Sequence, residues 1–489
     1  MYVEDTIVAP VTPPGTGAVA IVRLSGPEAI RIMRAIWRPL RPRAALRAHT
    51  LHLGEVRNPA TGASIDRALG VVMPAPKSLT GEDVAELHCH GGAYLVRRVI
   101  ALAMAHGARM AEPGEFSRRA FLNGRMDLTE AEAIADLIAA RSDSALEQAI
   151  TQLGGALAEC VGRLRAGVIG IRAHLEAEID FADEDVNLPS REQIGAAIAD
   201  LAADIRVLHD SFARGRLMRE GARATIVGKP NVGKSSILNL LLGAERAIVT
   251  PIPGTTRDVI EDSISLGPYT LVLQDTAGIR DGAVRDDAGE VERIGQVERI
   301  GIERTLQHAA QAELVLAVFD SSRPLEAEDL RVIELCRGRR GVAVLNKRDL
   351  PAVLSDESLR DVMTPALATS ALATPALAMP VLSLSALKAE GVAALRNELQ
   401  SAVEALAGET DRRGGASEGI AISRERHRQA LATALEALER AGRGALSALP
   451  PEVIAVDVAL AAEALGAITG AVGVEDVLDA VFREFCIGK

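Results

Sequence analysis

The residues best placed to do chemistry begin at Gly228-Lys229-Pro230-Asn231-Val232-Gly233-Lys234-Ser235-Ser236, which separates the apolar stretch ARATIV from a helical one. In that strand-loop-helix setting, small residues let backbone N–H groups wrap phosphate oxygens at a helix N-terminus, where the dipole favours negative charge. Lys234 then reaches the β and γ oxygens, and the Ser235 hydroxyl ligates Mg²⁺. Further loops agree with this. The run LVLQ ends in Asp275-Thr276-Ala277-Gly278, a carboxylate for the metal and a flexible glycine amide for the γ-phosphate. The run GVAVL ends in Asn346-Lys347-Arg348-Asp349, and LSLSAL supplies Ser385-Ala386-Leu387. Asp349 chooses the base: a carboxylate that accepts from guanine N1–H and the exocyclic amine rejects adenine, which lacks both donors in that arrangement. The nucleotide read from these residues is GTP.

The loop after the first helix reads Thr250-Pro251-Ile252-Pro253-Gly254-Thr255-Thr256-Arg257-Asp258. A threonine hydroxyl there is the usual second side-chain Mg²⁺ ligand, and Thr256 is preferred to Thr255. After Gly278 stands Ile279, where Ras-like enzymes carry the glutamine that orients water. An apolar side chain cannot do that, so another group must supply the water-orienting function and the positive charge at the transition state.

Loops of this kind sit at the C-terminal ends of parallel strands. Around them, apolar strand-like runs (ARATIV, LVLQD, LVLAVFD, GVAVLN) alternate with helical ones, giving an α/β P-loop domain of the Ras-like type over 220–406. On either side the pattern is helical. Residues 129–178 form a long, proline-free stretch of helical period, and a second helix is expected over about 191–219. After a glycine-rich, charged break at 408–418, helices return to the end. The expected architecture is therefore multidomain: α+β over 1–118, and a helical domain, 119–219 and 407–489, interrupted by the inserted G domain. The N-terminal part mixes β-type runs (AVAIVRLSG, LGVVMP, VAELHCHGG) with helical stretches near 28–36 and 94–106.

Composition bounds the rest. With 489 residues, 48% hydrophobic and 25% charged, several soluble domains are expected and disorder is not. The most apolar stretch, 455–474, carries Asp457 and Glu463, so no membrane span is expected. Without a basic and then apolar N-terminus, the expected location is cytoplasmic. The four cysteines are at least 71 positions apart and offer no CxxC pair. The net charge of −12 opposes a general nucleic-acid coat, yet residues 1–130 hold 16 basic against 12 acidic side chains. Arg31, Arg34, Arg38, Arg41, Arg43 and Arg47 are the densest basic run, which suits either an RNA backbone or plain solvent.

Taken together, Asn231 in the phosphate loop, Gly254-Thr255-Thr256-Arg257-Asp258, Asp275-Thr276-Ala277-Gly278, a VERIGIER helix and the terminal Phe485-Cys486-Ile487-Gly488-Lys489 resemble the MnmE (TrmE) family of tRNA-modification GTPases. Asp5-Thr6-Ile7-Val8-Ala9, Arg23-Leu24-Ser25-Gly26, Thr80-Gly81-Glu82-Asp83, Pro113-Gly114-Glu115-Phe116 and Phe121-Leu122-Asn123 look like that family's N-terminal domain; 281–296, 353–380 and about 406–418 fall outside the likeness. The resemblance implies a homodimer in which K⁺, held here by Asn231, Thr250, Ile252 and Thr255, replaces an arginine finger. It also implies a glutamate on the VERIGIER helix that orients water. A short tandem duplication (VERIGQ, VERIGI) offers Glu292 and Glu298, and Glu298 is preferred because it precedes the intact GIER.

For the N-terminal domain the resemblance implies a pocket for a 5-formyl- or methylene-tetrahydrofolate one-carbon donor, near Arg23, Glu82, Arg125 and Lys489. It implies the FAD protein MnmG as partner in a heterotetramer, tRNA as substrate, and a carboxymethylaminomethyl or aminomethyl group added at C5 of the wobble uridine, with ammonium or glycine as amine source. Cys486 is read as either a nucleophile or a packing residue. His88-Cys89-His90 has a metal-like spacing but no third ligand. Two rival readings remain. A ribosome-assembly GTPase would carry a basic RNA-binding domain after the G domain; a folate-dependent aminomethyl transferase would use the nucleotide domain for regulation.

Overall fold

A computed structural model describes residues 5–40, 46–181, 188–244, 262–274, 312–367, 379–411, 420–447, 449–471, 478, 481–483, 485 and 488. In chain order the first part holds β1 (Ile7–Pro10), β2 (Gly17–Ser25), α1 (Ala29–Ile36), β3 (Trp37–Pro39), β4 (His52–Arg57), β5 (Ser64–Met73), β6 (Val84–Gly91), α2 (Ala93–Ala105), β7 (Arg109–Met110) and α3 (Glu115–Leu122). The strands form one sheet in the order β3-β4-β5-β6-β2-β1-β7. Alternation along β2 and β6 sends Val22, Leu24, Leu87 and Cys89 to the face that α1 and α2 cover with Ile32, Met33, Ile36, Val99 and Ile100. The opposite face carries Ile21, Arg23, Glu86 and His88. Sequence patterning found α1 and α2 but missed α3, β1, β3, β4 and β7. β1 and β7 are very short, and β4 (HLGEVR) is half polar.

The helical stretch expected as one run over 129–178 is three helices, α4 (Leu128–Ala139), α5 (Asp143–Leu153) and α6 (Ala156–Asp180). Local chemistry cuts it. Ser142 caps α5 by accepting from the Ala145 N–H at 3.2 Å, and Gly155 is left-handed at φ 82° before α6. At the start of α4, Asp127 accepts from the Thr129 and Glu130 N–H groups at 2.7 and 2.9 Å while Glu130 accepts from the Asp127 N–H at 2.8 Å, a reciprocal capping box. The second expected helix is likewise two, α7 (Arg191–Asp210) and α8 (Phe212–Glu220), because the Ser211 hydroxyl turns back to the Leu208 carbonyl at 2.6 Å.

The α/β part follows as β8 (Ala222–Val227), α9 (Lys234–Ala244), β9 (Asp262–Leu266), β10 (Tyr269–Gln274), β11 (Leu314–Asp320), α10 (Ala327–Leu335), β12 (Arg340–Asn346), α11 (Asp356–Leu367), β13 (Val381–Ser383) and α12 (Val392–Asp411), and the chain continues with α13 (Glu425–Leu446) and α14 (Pro451–Thr469). Its sheet runs β13-β12-β11-β8-β10-β9, with β9 antiparallel to β10 and the other neighbours parallel. Every residue of LVLAVFD in β11 is buried, as a strand covered on both faces must be. α9 and α12 pack one face and α10 and α11 the other, so the crevice at the strand ends opens beside β8. One apolar core joins α6 and α7 to α13 and α14, drawing on Leu157 to Leu208 and again on Ile422 to Ile468.

Candidate functional site

The phosphate loop leaves β8 through two strained turns. Asn231 (φ 63°) and Gly233 (φ 100°) are left-handed, and a Cβ on Gly233 would strike the Asn346 side chain, so only glycine fits there. Asparagine is among the few other residues that tolerate this conformation. The Lys234 ammonium donates to the Gly228 and Lys229 carbonyls at 2.8 and 2.7 Å.

The loop expected to read the base is stapled to the loop expected to hold phosphate. Asn346 Nδ2 donates to the Val232 carbonyl at 2.8 Å and Asn346 Oδ1 accepts from the Ala386 N–H at 3.0 Å, so one buried side chain joins three of the predicted loops. Lys347, at φ 67°, donates to Asp320 Oδ2 at 2.7 Å. Asp349 Oδ1 accepts from the Ser385 hydroxyl at 2.5 Å, and that bond holds the carboxyl below the usual carboxylate range. Asp349 is thus ionised and oriented, as a double acceptor for guanine requires. Arg348 is exposed beside it, and so is Leu387, at 84%. Of the Mg²⁺ and K⁺ ligands expected from sequence, Ser235 and Asn231 belong to this loop. Thr250, Pro251, Ile252, Pro253, Gly254, Thr255, Thr256, Asp275, Thr276, Ala277, Gly278, Glu292 and Glu298 lie outside the described residues.

Sequence reasoning missed a clamp on this loop. Lys229 Nζ stands 2.7 Å from Asp329 Oδ2 and 3.1 Å from Glu326 Oε2, at the N-terminus of α10. Asp329 is buried and also accepts from the Glu326 N–H at 2.9 Å. Burial works against the Lys229 charge, but the two carboxylates prevail and raise its pKa. Its local signal was Glu326 and Asp329 at capping-box spacing.

The N-terminal residues meet around a second ionic centre. Arg23 and Ser25, two apart on β2, share a face. Arg23 Nε donates to Glu86 Oε1 at 2.7 Å and its guanidinium lies 5.6 Å over the Phe116 ring. Ser25 Oγ donates to Glu82 Oε2 at 2.6 Å. Arg119, only 3% exposed, reaches Glu82 at 3.2 Å, Glu115 at 2.9 Å and Asp5 at 2.5 Å. Arg109 grips both Glu115 oxygens at 2.6 and 2.8 Å. Burial would raise the Asp5 and Glu115 pKa values, yet the two arginines hold both lowered. Arg125 is exposed, and its methylenes flank Gly81 beside Glu82. Arg23, Glu82 and Arg125 therefore belong to one neighbourhood. Gly488 (φ 101°) packs against the Pro10 carbonyl with no room for a Cβ, bringing the chain end to β1, whose Ala9 pairs with Arg23. Cys486 and Lys489 lie outside the described residues. Arg119, Arg109, Asp5 and Glu115 were not foreseen; their sequence signal is the Glu115–Arg119 spacing of four on one helix.

A third cluster binds α4 to α13. Glu132, 1% exposed, accepts from Arg426 at 2.5 and 2.7 Å and lies 3.0 Å from His427 Nε2. Arg424 pairs with Asp136 at 2.7 Å, and Arg219 of α8, which leads into β8, lies 3.6 Å from the same carboxylate. His88 and His90 point away from buried Cys89, His88 toward Glu86 at 3.1 Å and His90 toward Asp66 at 2.7 Å. Among the described residues no helix is long and apolar enough to cross a membrane.

Comparison with known proteins agrees with this geometry. The family description "GTP-binding protein TrmE N-terminus" matches residues 6–125, and "MnmE helical domain" matches 128–486. The tRNA modification GTPase MnmE of Syntrophotalea carbinolica is 41% identical over 489 residues, covering all of both chains. That of Symbiobacterium thermophilum is 44% identical over 489 residues, covering 99% of this chain and all of its own. That of Natranaerobius thermophilus is 39% identical over 486 residues, with the same coverage. Sites and likeness run together from one end of the chain to the other: it belongs to the MnmE family of tRNA modification GTPases.

Proposed function

We propose that this chain is a cytoplasmic, K⁺-stimulated GTP hydrolase that works as a homodimer. With the FAD protein MnmG it adds a carboxymethylaminomethyl or aminomethyl group to C5 of the wobble uridine in tRNA. The observation that carries the reading is the stapled pair of loops, in which Asn346 joins the phosphate loop to an ionised, oriented Asp349. They occur in a chain whose full-length relatives are named tRNA modification GTPases.

GTP enters with its base edge on Asp349 and its phosphates over Gly228 to Ser236. Lys234 exchanges two carbonyls for phosphate oxygens, and the helix α9 N-terminus meets the remaining charge. The loop's hydroxyl and amide side chains suit hard cations: Ser235 with Thr256 would hold Mg²⁺, and Asn231 with Thr250, Ile252 and Thr255 would hold K⁺. Both ions would supply positive charge to the phosphoryl oxygens. Glu298 orients the water that Ile279 cannot. In the N-terminal domain, Arg23, Glu82, Arg125 and Lys489 would receive the tetrahydrofolate donor; the fixed Glu82 carboxylate offers an acceptor to a pterin ring and the arginines offer donors to an anionic tail. The sheet face opposite α1 and α2 favours a homodimer, since Leu53 and Leu69 pair across β4 and β5 and remain 52% and 37% exposed.

If K⁺ supplies the missing charge, hydrolysis in KCl should exceed that in NaCl by orders of magnitude, within the roughly 10³ to 10⁵ an arginine finger provides. Asn231→Ala should abolish the difference. Equal rates in both salts would refute the cation's role, and wild-type wobble uridine in a deletion strain would refute the role in tRNA.

A further inference from the structure

The outer face of the N-terminal domain concentrates positive charge. Helices α1 (AIRIMRAI) and α2 (AYLVRRVIALAMA) contain four arginines and no carboxylate, in a chain whose net charge is −12. Arg31 is engaged, pairing with Glu28 and donating to the His106 carbonyl at 3.1 Å. The remaining three, Arg34, Arg97 and Arg98, are exposed, and none of these three joins an ion pair among the described residues. By contrast, Arg23, Arg57, Arg109 and Arg119 of the same domain all do.

The topology gathers these side chains. β2 and β6 are antiparallel neighbours, and each is followed by a helix that packs back along the same sheet face, so α1 and α2 run antiparallel. The Arg31 bond to His106 fixes their register at one end. At 1.5 Å per residue, Arg98 lies about 12 Å along α2 from that point, and Arg34 lies about one turn along α1 from Arg31. Several guanidiniums thus track a line about as long as two or three phosphate spacings of a nucleic-acid strand. Tyr94 stands one turn from Arg97 and Arg98 on the same stripe and is 68% exposed, leaving an aromatic ring free to stack on an unpaired base.

We infer that the α1–α2 face is a docking surface for the RNA backbone, with Arg34, Arg97 and Arg98 on phosphates and Tyr94 on a base. The inference rests on the tRNA reading above and adds where the tRNA lies. Its site is separate from the nucleotide loops and from the Arg23–Glu82 neighbourhood.

The test is fluorescence anisotropy of a labelled, unmodified tRNA transcript with the full-length protein and MnmG across a KCl series. Arg34→Glu/Arg97→Glu/Arg98→Glu should raise the Kd at least tenfold and flatten the slope of log Kd against log salt by about two to three, roughly 0.9 per lost phosphate contact. GTP hydrolysis and Tm should not move. Tyr94→Ala should raise the Kd severalfold with the slope kept. Arg331→Glu, an exposed charge on α10, controls for net charge and should leave binding within about twofold. If the wild type binds tRNA and the folded triple variant keeps its affinity and slope, the inference is wrong while the tRNA reading stands. If the wild type binds no tRNA even with MnmG present, the tRNA reading fails and takes the inference with it.

Discussion

The nucleotide loops and the N-terminal ionic centre handle charge in opposite ways. Around Arg119 every buried charge has its counter-charge: Asp5, Glu82 and Glu115 converge on one guanidinium, and Arg109 closes the ring. That centre is complete before any ligand arrives. In the phosphate loop Lys234 donates to two backbone carbonyls, which phosphate oxygens can replace. One region uses electrostatics to fix geometry; the other keeps a charge exchangeable. Mutations should therefore affect stability in the first and turnover in the second.

The largest effect is expected at Arg119. Arg119→Met leaves Asp5, Glu82 and Glu115 with Arg109 alone, which reaches only Asp5 and Glu115, and should cost about 3–5 kcal/mol in urea or thermal unfolding. Lys234→Met is the counter-test: unchanged Tm, with single-turnover GTP hydrolysis down by about 10² to 10³. A stable Arg119→Met, or an unfolded Lys234→Met, would break the contrast.

The Lys229 clamp lies between the two regimes, since it is structural in form but fixes the peptide whose carbonyl holds Lys234. Lys229→Met and Asp329→Asn should each weaken GTP binding by about 1–2 kcal/mol. The double variant should be no worse than either single one, because both remove the same contact. Lys229→Arg should restore affinity. Additive losses in isothermal titration would show that the two side chains act separately.

A smaller effect sharpens the comparison at Glu132. Burial holds His427 neutral by pushing its pKa below the ordinary value of about 6.5, and the opposing pull of Glu132 does not restore it. The unfolded chain therefore takes up a proton that the folded chain refuses, so stability is intact above about pH 6.5 and declines as pH falls toward the folded pKa, by at most about 1.4 kcal/mol per unit. Glu132 is depressed instead, and its own contribution falls away only below the ordinary glutamate range. Urea midpoints between pH 7 and 5.5 should thus fall more for the wild type than for His427→Gln.

How much of this was legible follows from sequence distance. Asn231, Lys234, Ser235, Asn346, Asp349 and Ser385 are contiguous with strand ends, so motif and geometry coincide, and the structure adds the Asn346 staple and the Lys229 clamp. Arg119 reaches back 114 positions to Asp5 and 37 to Glu82, and the Arg426–Glu132 pair spans 294. No local pattern encodes such pairings; they exist only once β1, β2 and α3, or α4 and α13, are packed. The overlong helices had a related cause: period and absence of proline ran through 129–178, but Ser142 starts a new helix as its N-cap and Gly155 breaks the chain with a left-handed turn, neither of which period registers.

The central claim is that a single ionised carboxylate, oriented by Ser385, makes this a guanine-specific site. The direct measurement is titration of GTP, ATP and xanthosine triphosphate against the wild type and Asp349→Asn. GTP should be preferred by the wild type and ATP rejected, while Asp349→Asn should lose roughly 1.5–3 kcal/mol toward GTP and turn to xanthosine triphosphate. Unchanged GTP affinity in Asp349→Asn would contradict the account.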